Sequence, residues 1–223
     1  MRTLHIPVKS TVPIILTEDI ISRLPNKIAL VMPVQHIHKR DEVIAQLHRA
    51  GKEVVLPQGY HTRHDGQVLG CDQAEGHGID ADAYLCVADG AFHPKALATA
   101  DIPVFVYDLS RNELHQMDPG LKQKILGRRK GALARFYTAK TVGVLVTTKP
   151  GQRRLEQVHK LRQMFPKKAF YCFGADTMNL KECVNFPFVE VWVNTACPRM
   201  EDDHQQLDRP LINARDIAEV LMF

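Results

Sequence analysis

Two segments of the chain read alike in their order of apolar and polar positions. The first runs Lys27-Ile28-Ala29-Leu30-Val31-Met32, a polar loop, Lys39 to Gly51, and then Glu53-Val54-Val55-Leu56. The second runs Thr141-Val142-Gly143-Val144-Leu145-Val146, a polar loop, Arg153 to Phe165, and then Ala169-Phe170-Tyr171-Cys172-Phe173. In the stretches between the apolar runs, apolar residues recur at helical spacing. Val43, Ile44 and Leu47 form one stripe, and Leu155, Val158, Leu161 and Phe165 form the other. Gly51 falls where a helix C-cap glycine belongs. The apolar runs do not alternate in polarity, which predicts strands buried on both faces, as in a parallel sheet. Strand, helix and strand then form a right-handed crossover.

Further strands are predicted at Ala83-Tyr84-Leu85-Cys86-Val87, at Val104-Phe105-Val106-Tyr107 after Ile102-Pro103, and at Val189-Glu190-Val191-Trp192-Val193 after Asn185-Phe186-Pro187. The pattern predicts an α/β fold: two tandem three-layer α/β units, each around a small, mainly parallel sheet. The first unit is expected over 1–118 and the second over 119–223, divided near Asp118-Pro119-Gly120. Between them, Leu121 to Tyr137 carries Lys122, Lys124, Arg128, Arg129, Lys130 and Arg135 beside a broken apolar stripe of Leu121, Ile125, Leu133 and Phe136. Such a stretch is either a solvated connecting helix or a basic surface for an acidic or nucleic-acid partner.

Composition narrows the class. Of 223 residues, 45% are hydrophobic and 24% charged, as in a soluble globular protein. No apolar run approaches the roughly 20 residues of a membrane helix. Met1-Arg2-Thr3-Leu4-His5-Ile6-Pro7 lacks the apolar core of a secretory signal, so the expectation is a cytoplasmic protein without a membrane partner. A net charge of +4 does not by itself point to nucleic acid. Five cysteines without an export signal argue against a disulfide framework.

Ligands of open parallel sheets gather outside the carboxyl ends of the strands. The loops predicted there are Pro33 to His38, Ala88 to Pro94, Thr147 to Gln152 and Asn194 to Arg199, rich in Gly, His, Gln, Asn and Arg. Cys86 and Cys172 lie inside apolar runs, and Cys183 at a helical position, so all three are read as packing residues. Cys71 and Cys197 differ: each lies in a polar loop beside a turn-forming Gly70 or Pro198, and Cys197 stands just past a strand end. There, Arg199 and nearby backbone amides favour a thiolate. No C-x-x-C or compact zinc spacing occurs, so a metal or redox site needs cysteines from distant loops. His36 and His38 point to opposite sides if the chain is extended.

Several of these segments match one known family. They are Val34-Gln35-His36-Ile37-His38-Lys39, Gly66-Gln67-Val68-Leu69-Gly70-Cys71, Asp82-Ala83-Tyr84-Leu85 with Asp89-Gly90-Ala91-Phe92-His93-Pro94, Thr148-Lys149-Pro150-Gly151-Gln152, Trp192-Val193-Asn194-Thr195-Ala196-Cys197-Pro198-Arg199, and Arg209-Pro210-Leu211. In these the chain resembles the diphthamide-synthesis family of non-classical radical-SAM enzymes, the 2-(3-amino-3-carboxypropyl)histidine synthases. The resemblance implies three similar α/β domains, each giving one cysteine to a [4Fe–4S] cluster whose fourth iron binds S-adenosylmethionine (SAM). It implies cleavage of SAM to a 3-amino-3-carboxypropyl radical that adds to a histidine of elongation factor 2, the protein substrate. On this resemblance the cluster ligands are Cys71 and Cys197. Gln35, His36, Gly151 and Gln152 are SAM or substrate contacts, and Arg199 either pairs with the SAM carboxylate or makes a surface ion pair. No catalytic side chain is singled out.

The sequence departs from the family pattern in showing two domains. The strip Leu4 to Leu24 reads as the tail of the first domain or the lead into the second, and that domain's cysteine has no counterpart. The third thiolate is then expected from a separate chain, as in a heterodimer, or from a second copy in a homodimer. Otherwise the cluster is lost. Two other functions stay open: a cluster-less two-domain binding or scaffold protein, and a related Fe–S/SAM enzyme with another substrate.

Overall fold

A computed structural model describes residues 6, 8–59, 61–70 and 78–217. Two compact units divide the chain, Met1–Gln123 and Lys124–Phe223.

In the first unit, α1 (Glu18–Ser22) precedes β1 (Lys27–Val31), α2 (Arg40–Arg49), β2 (Glu53–Val55), β3 (Ala83–Ala88), β4 (Val104–Asp108) and β5 (Glu113–Gln116). The sheet order is β2-β1-β3-β4-β5, parallel except for the antiparallel pair β4–β5. Helix α3 (Pro119–Thr138) contains the division between the units. The second unit continues with β6 (Thr141–Thr147), α4 (Leu155–Met164), β7 (Ala169–Ala175), β8 (Val191–Asn194) and β9 (Leu211–Asn213). Its sheet is all parallel in the order β7-β6-β8-β9. The repeat in the sequence is therefore a repeat of topology, and both units have the expected α/β architecture.

In each unit one face of the sheet carries helices. Val43 and Leu47 of α2 join Ile28, Leu30, Leu85 and Val87 in one core, and Val158 and Leu161 of α4 join Val142, Val144 and Val193 in another. The opposite faces are covered by short 3-10 turns, Pro94–Leu97 in the first unit and Leu180–Asn185 in the second. To these cores the turns contribute Pro94, Ala96 and Leu97 in the first unit and Leu180 and Cys183 in the second.

Three elements escape the sequence pattern. Strand β5 buries only Leu114, and β9 has three residues, so neither shows a periodic signal. Residues 14–24 belong to the first unit's core through Ile14, Leu16, Ile20, Ile21 and Leu24. Gln46 clamps this strip, accepting from the Leu16 amide at 2.8 Å and donating to the Ile14 carbonyl at 2.9 Å. Thr17 caps α1, its side chain accepting from the Ile20 amide.

Candidate functional site

In the first unit the chain leaves β1 for β2 on one side and later returns to β3 on the other, so the topological switch lies between β1 and β3. The loops leaving these two strands meet there. His36, fully buried, brings Nε2 to 2.7 Å from Oδ2 of Asp89. Its Nδ1 is buried and has no hydrogen-bond partner among the described residues. His36 and His38 are not on an extended segment: the chain turns at residues 34–36 and enters a 3-10 turn, Ile37–Lys39, that runs into α2. Gln35 is half-buried, and its carbonyl accepts from the Ser10 amide at 2.9 Å.

The segment carrying the first candidate cysteine approaches the same end of the sheet. Met32 and Gln67 form a parallel bridge, with the Met32 amide donating to Gly66 and the Val68 amide to Met32. Gly66 lies at φ +74, and a side chain there would meet Leu56 at 2.9 Å and the Leu30 carbonyl at 3.0 Å. Gly70 then lies against Phe92 of the β3 loop, so closely that a Cβ would fall 2.4 Å from the ring. Gly70 therefore lies beside the loop that leaves the carboxyl end of β3. Cys71 itself lies outside the described residues.

In the second unit the loop after β8 is built by two asparagines in register on adjacent strands, Asn194 and Asn213. Asn194 Nδ2 donates to Asn213 Oδ1 and to the Cys197 carbonyl, both at 2.8 Å, and Asn194 Oδ1 accepts from the Ala196 amide at 2.9 Å. Asn213 Nδ2 donates to the Pro198 carbonyl at 3.3 Å. Thr195 ties its hydroxyl to the Leu145 carbonyl at 2.8 Å. Cys197 emerges from this clamp as a free, partly exposed thiol whose carbonyl is held while its sulfur is not. That is what a ligand position requires: a fixed backbone and an available sulfur.

The following 3-10 turn, Pro198–Gln206, is anchored by a buried ion pair. Arg129 of α3 donates Nε to Oε2 of Glu201 at 3.0 Å and a terminal nitrogen to Oε1 at 2.5 Å. Arg199, 8% exposed, pairs with Asp202 at 2.5 Å. Part of its guanidinium is thus engaged within its own turn. Asp216 adds a carboxylate 3.8 Å from Arg129 Nε, and burial raises its pKa despite Arg129 and Arg215. The basic stretch of α3 is accordingly neither wholly solvated nor a free basic face: Arg129 is internal, Lys122 pairs with Asp101 at 2.8 Å, and Arg135 with Glu190 at 2.8 Å.

The loop after β6 turns at Gly151, where φ +78 requires glycine. The Gln152 amide donates to the Lys149 carbonyl at 3.1 Å, and Gly151 and Gln152 are exposed.

The other cysteines separate cleanly. Cys86 is fully buried, and desolvation pushes its thiol up to about 12; Cys183 is buried and pushed up to about 11. Cys172 is exposed, contrary to the expectation of packing, because β7 is an edge strand with only part of its surface covered. Among the described residues, no three His, Cys, Asp or Glu side chains converge as a metal centre. No helix among them is long and apolar enough to cross a membrane. Asp89 and Asn194 stand in the predicted loops with no local signal of the contacts they make. Glu201 and Asn213 carry no such signal either, since their partners lie on distant segments.

Comparison with known proteins bears on this arrangement. The profile of the family described as "Putative diphthamide synthesis protein" matches residues 1–222. The chain is similar to 2-(3-amino-3-carboxypropyl)histidine synthase of Pyrococcus horikoshii, at 29% identity over 99% of this chain and 65% of that protein. It is similar to subunit 1 of the synthase of Schizosaccharomyces pombe, at 24% identity over 80% of this chain and 43% of that protein. The chain thus spans less than two thirds of these relatives' lengths. In structure it is similar to Dph2 of Pyrococcus horikoshii, crystallised with a 4Fe-4S cluster, with a TM-score of 0.74 and 26% identity over 90% of this chain and 58% of that one. With a family profile matching nearly every residue and a shared α/β fold, the chain belongs to the diphthamide synthesis protein family.

Proposed function

We propose that this chain is part of a 3-amino-3-carboxypropyl transferase of diphthamide biosynthesis, acting on a histidine of elongation factor 2 with SAM as donor. The observation that carries the reading is the match of 99% of the chain to a protein named as 2-(3-amino-3-carboxypropyl)histidine synthase. The geometry supports it. In the second unit Cys197 follows the carboxyl end of β8, and in the first unit the described residues Gly66 to Gly70 lie at the carboxyl end of the sheet, where parallel sheets hold ligands.

In this reading Cys71 and Cys197 are thiolate ligands of a [4Fe–4S] cluster, and the third thiolate comes from outside these 223 residues. Relatives named as subunit 1 favour a multi-chain assembly. When bound, the cluster supplies the electron that cleaves SAM to a 3-amino-3-carboxypropyl radical. The chain's own residues position the reactants. Asn194 and Asn213 fix the backbone that carries Cys197. Arg199, oriented by Asp202, presents its guanidinium to the SAM carboxylate. His36, oriented by Asp89, and Gln35 line the switch of the first unit. Gly151 and Gln152 form an exposed turn at the carboxyl end of β6, where backbone amides meet a polar ligand.

The test is an anaerobic incubation of the chain, co-produced with its candidate partner chains, with carboxyl-labelled SAM and elongation factor 2. Label on the factor, absent when its target histidine is replaced, is expected. Unlabelled factor while SAM is consumed would refute the reading and favour another substrate.

A further inference from the structure

A groove of about 740 Å³ opens on the second unit where α3 and α4 end and β6 and β7 begin. Tyr137, Lys140, Met164, Phe165, Pro166 and Lys167 line it, all within one unit. The groove stands at the amino ends of the strands. Strand β6 is seven residues long, so about 20 Å lies between the groove and the carboxyl end of the sheet, where Cys197 follows β8. An occupant of the groove therefore leaves the Cys197 loop open.

The floor of the groove is apolar and its walls are fixed. The Phe165 ring packs edge-on against Phe136 at 5.0 Å and against Tyr137 at 6.0 Å. Lys168 pins the end of α3: its Nζ donates to the Tyr137 and Ala139 carbonyls at 2.8 and 2.6 Å and lies 5.3 Å from the centre of the Phe136 ring. Tyr137 and Met164 remain 45% and 37% exposed. The charge around this floor has one sign, for no carboxylate lines it. Lys140 and Lys167 are exposed, and their ammonium groups make no ion pair or hydrogen bond among the described residues. An ammonium has three donors and Lys168 uses two, so one N–H is left over. Burial lowers the pKa of Lys168, a penalty that an anion in the groove relieves. The nearby carboxylate of Glu190 is already engaged by Arg135, the Lys140 and Thr141 amides and the Thr141 hydroxyl.

We propose that this groove docks an acidic linear segment of a protein partner, in which a large apolar side chain stands between carboxylates. The apolar side chain fills the space among Tyr137, Met164 and Phe165, and the carboxylates meet Lys140, Lys167 and the remaining N–H of Lys168. Complementary charge at the rim steers and orients the segment, while the buried anchor holds it. Because the walls are already packed, little ordering of the groove is needed on binding. Nucleic acid fits less well. No arginine, the residue best shaped for phosphate, lines the groove, and exposed Met164 and Pro166 make it an aliphatic slot rather than a platform for stacked bases. A small free anion would leave the apolar floor unused.

The test is fluorescence anisotropy of a labelled hexapeptide, Asp-Glu-Phe-Leu-Glu-Asp, with the 223-residue chain. Saturable binding is expected, weakened when sodium chloride rises from about 0.05 to about 0.5 M. Lys140→Glu and Lys167→Glu are each expected to weaken it about fivefold, and Met164→Asp more than about tenfold, with unchanged circular dichroism. Lys181→Glu, on the other face of the sheet, is expected to bind like the wild type. Carbodiimide should couple the peptide to Lys140 or Lys167, and this map decides if a variant fails to fold. Absence of binding, undiminished binding by folded Lys140→Glu and Lys167→Glu, coupling only at other lysines, equal binding of Asp-Glu-Ser-Ser-Glu-Asp, or equal binding of an oligothymidylate of the same charge would each overturn the proposal. The last would assign the groove to nucleic acid. All of these outcomes leave the function proposed above standing, because the Cys197 loop lies at the opposite end of the sheet.

Discussion

His36 Nε2 and Asp89 Oδ2 lie 2.7 Å apart across the switch point of the first sheet, although the residues are 53 positions apart in sequence. The contact joins the loop leaving β1 to the loop leaving β3 and fixes the plane of a fully buried imidazole. Whether the ring is neutral or protonated, Nε2 donates, and in the neutral ring Nδ1 is then the lone-pair nitrogen. Replacing Asp89 by Ala is expected to destabilise the first unit by about 1 kcal/mol. That lies at the low end for a charge-assisted hydrogen bond, because the Asp89 side chain is 47% exposed. Urea unfolding measures the loss, and 15N shifts of the His36 ring report its tautomer, which is expected to become mixed in the variant.

The Arg129–Glu201 pair should matter more to stability. Both side chains are largely buried, at 16% and 7% exposure, and their two contacts tie the Cys197 turn to α3. Glu201→Ala leaves a buried guanidinium short of its carboxylate and is expected to cost about 3 kcal/mol in urea unfolding. Replacing both residues with apolar ones of similar volume is expected to recover most of that loss.

Gly143 lies against the only tryptophan of the chain. A Cβ there would fall 2.4 Å from Cε3 and Cζ3 of Trp192 and 2.9 Å from Val189. The ring is fully buried, so it has little room to yield. Gly143→Ala is expected to cost about 2 kcal/mol by overpacking and to shift the Trp192 emission.

Much of the architecture is legible in the sequence, for a physical reason. Strands of a parallel sheet buried on both faces leave uninterrupted apolar runs, and Ala29–Met32 and Val142–Val146 are such runs. What escapes prediction depends on strand order. Cys172 reads as packed because its run is apolar, but β7 proves to be an edge. The Asp89–His36 and Arg129–Glu201 pairs join residues 53 and 72 positions apart, so no local pattern reveals them. Cys197 is legible because Pro198 and the end of an apolar run mark it, whereas the asparagine clamp behind it depends on the β8–β9 register.

Glu190 predicts a pH signature. Its carboxylate accepts from the Thr141 and Lys140 amides at 2.9 and 2.7 Å, and these bonds hold its pKa below the ordinary value of 4.5. A lowered folded-state pKa gives stability that is present above the unfolded value and lost as pH falls through the folded one. Glu190→Gln is therefore expected to be less stable than wild type at pH 7. The gap should close on acidification below 4.5, in thermal melts across that range.

In the function proposed above, Cys71 and Cys197 are thiolate ligands of a [4Fe–4S] cluster. Iron and acid-labile sulfide, measured after anaerobic reconstitution of the chain co-produced with its candidate partner chains, test it most directly. The wild type should carry about four of each per chain, Cys172→Ser should match it, and Cys71→Ala and Cys197→Ala should each fall below about a tenth of that. A wild type that takes up no iron and sulfide, or either of the latter variants retaining the wild-type content, would contradict the account.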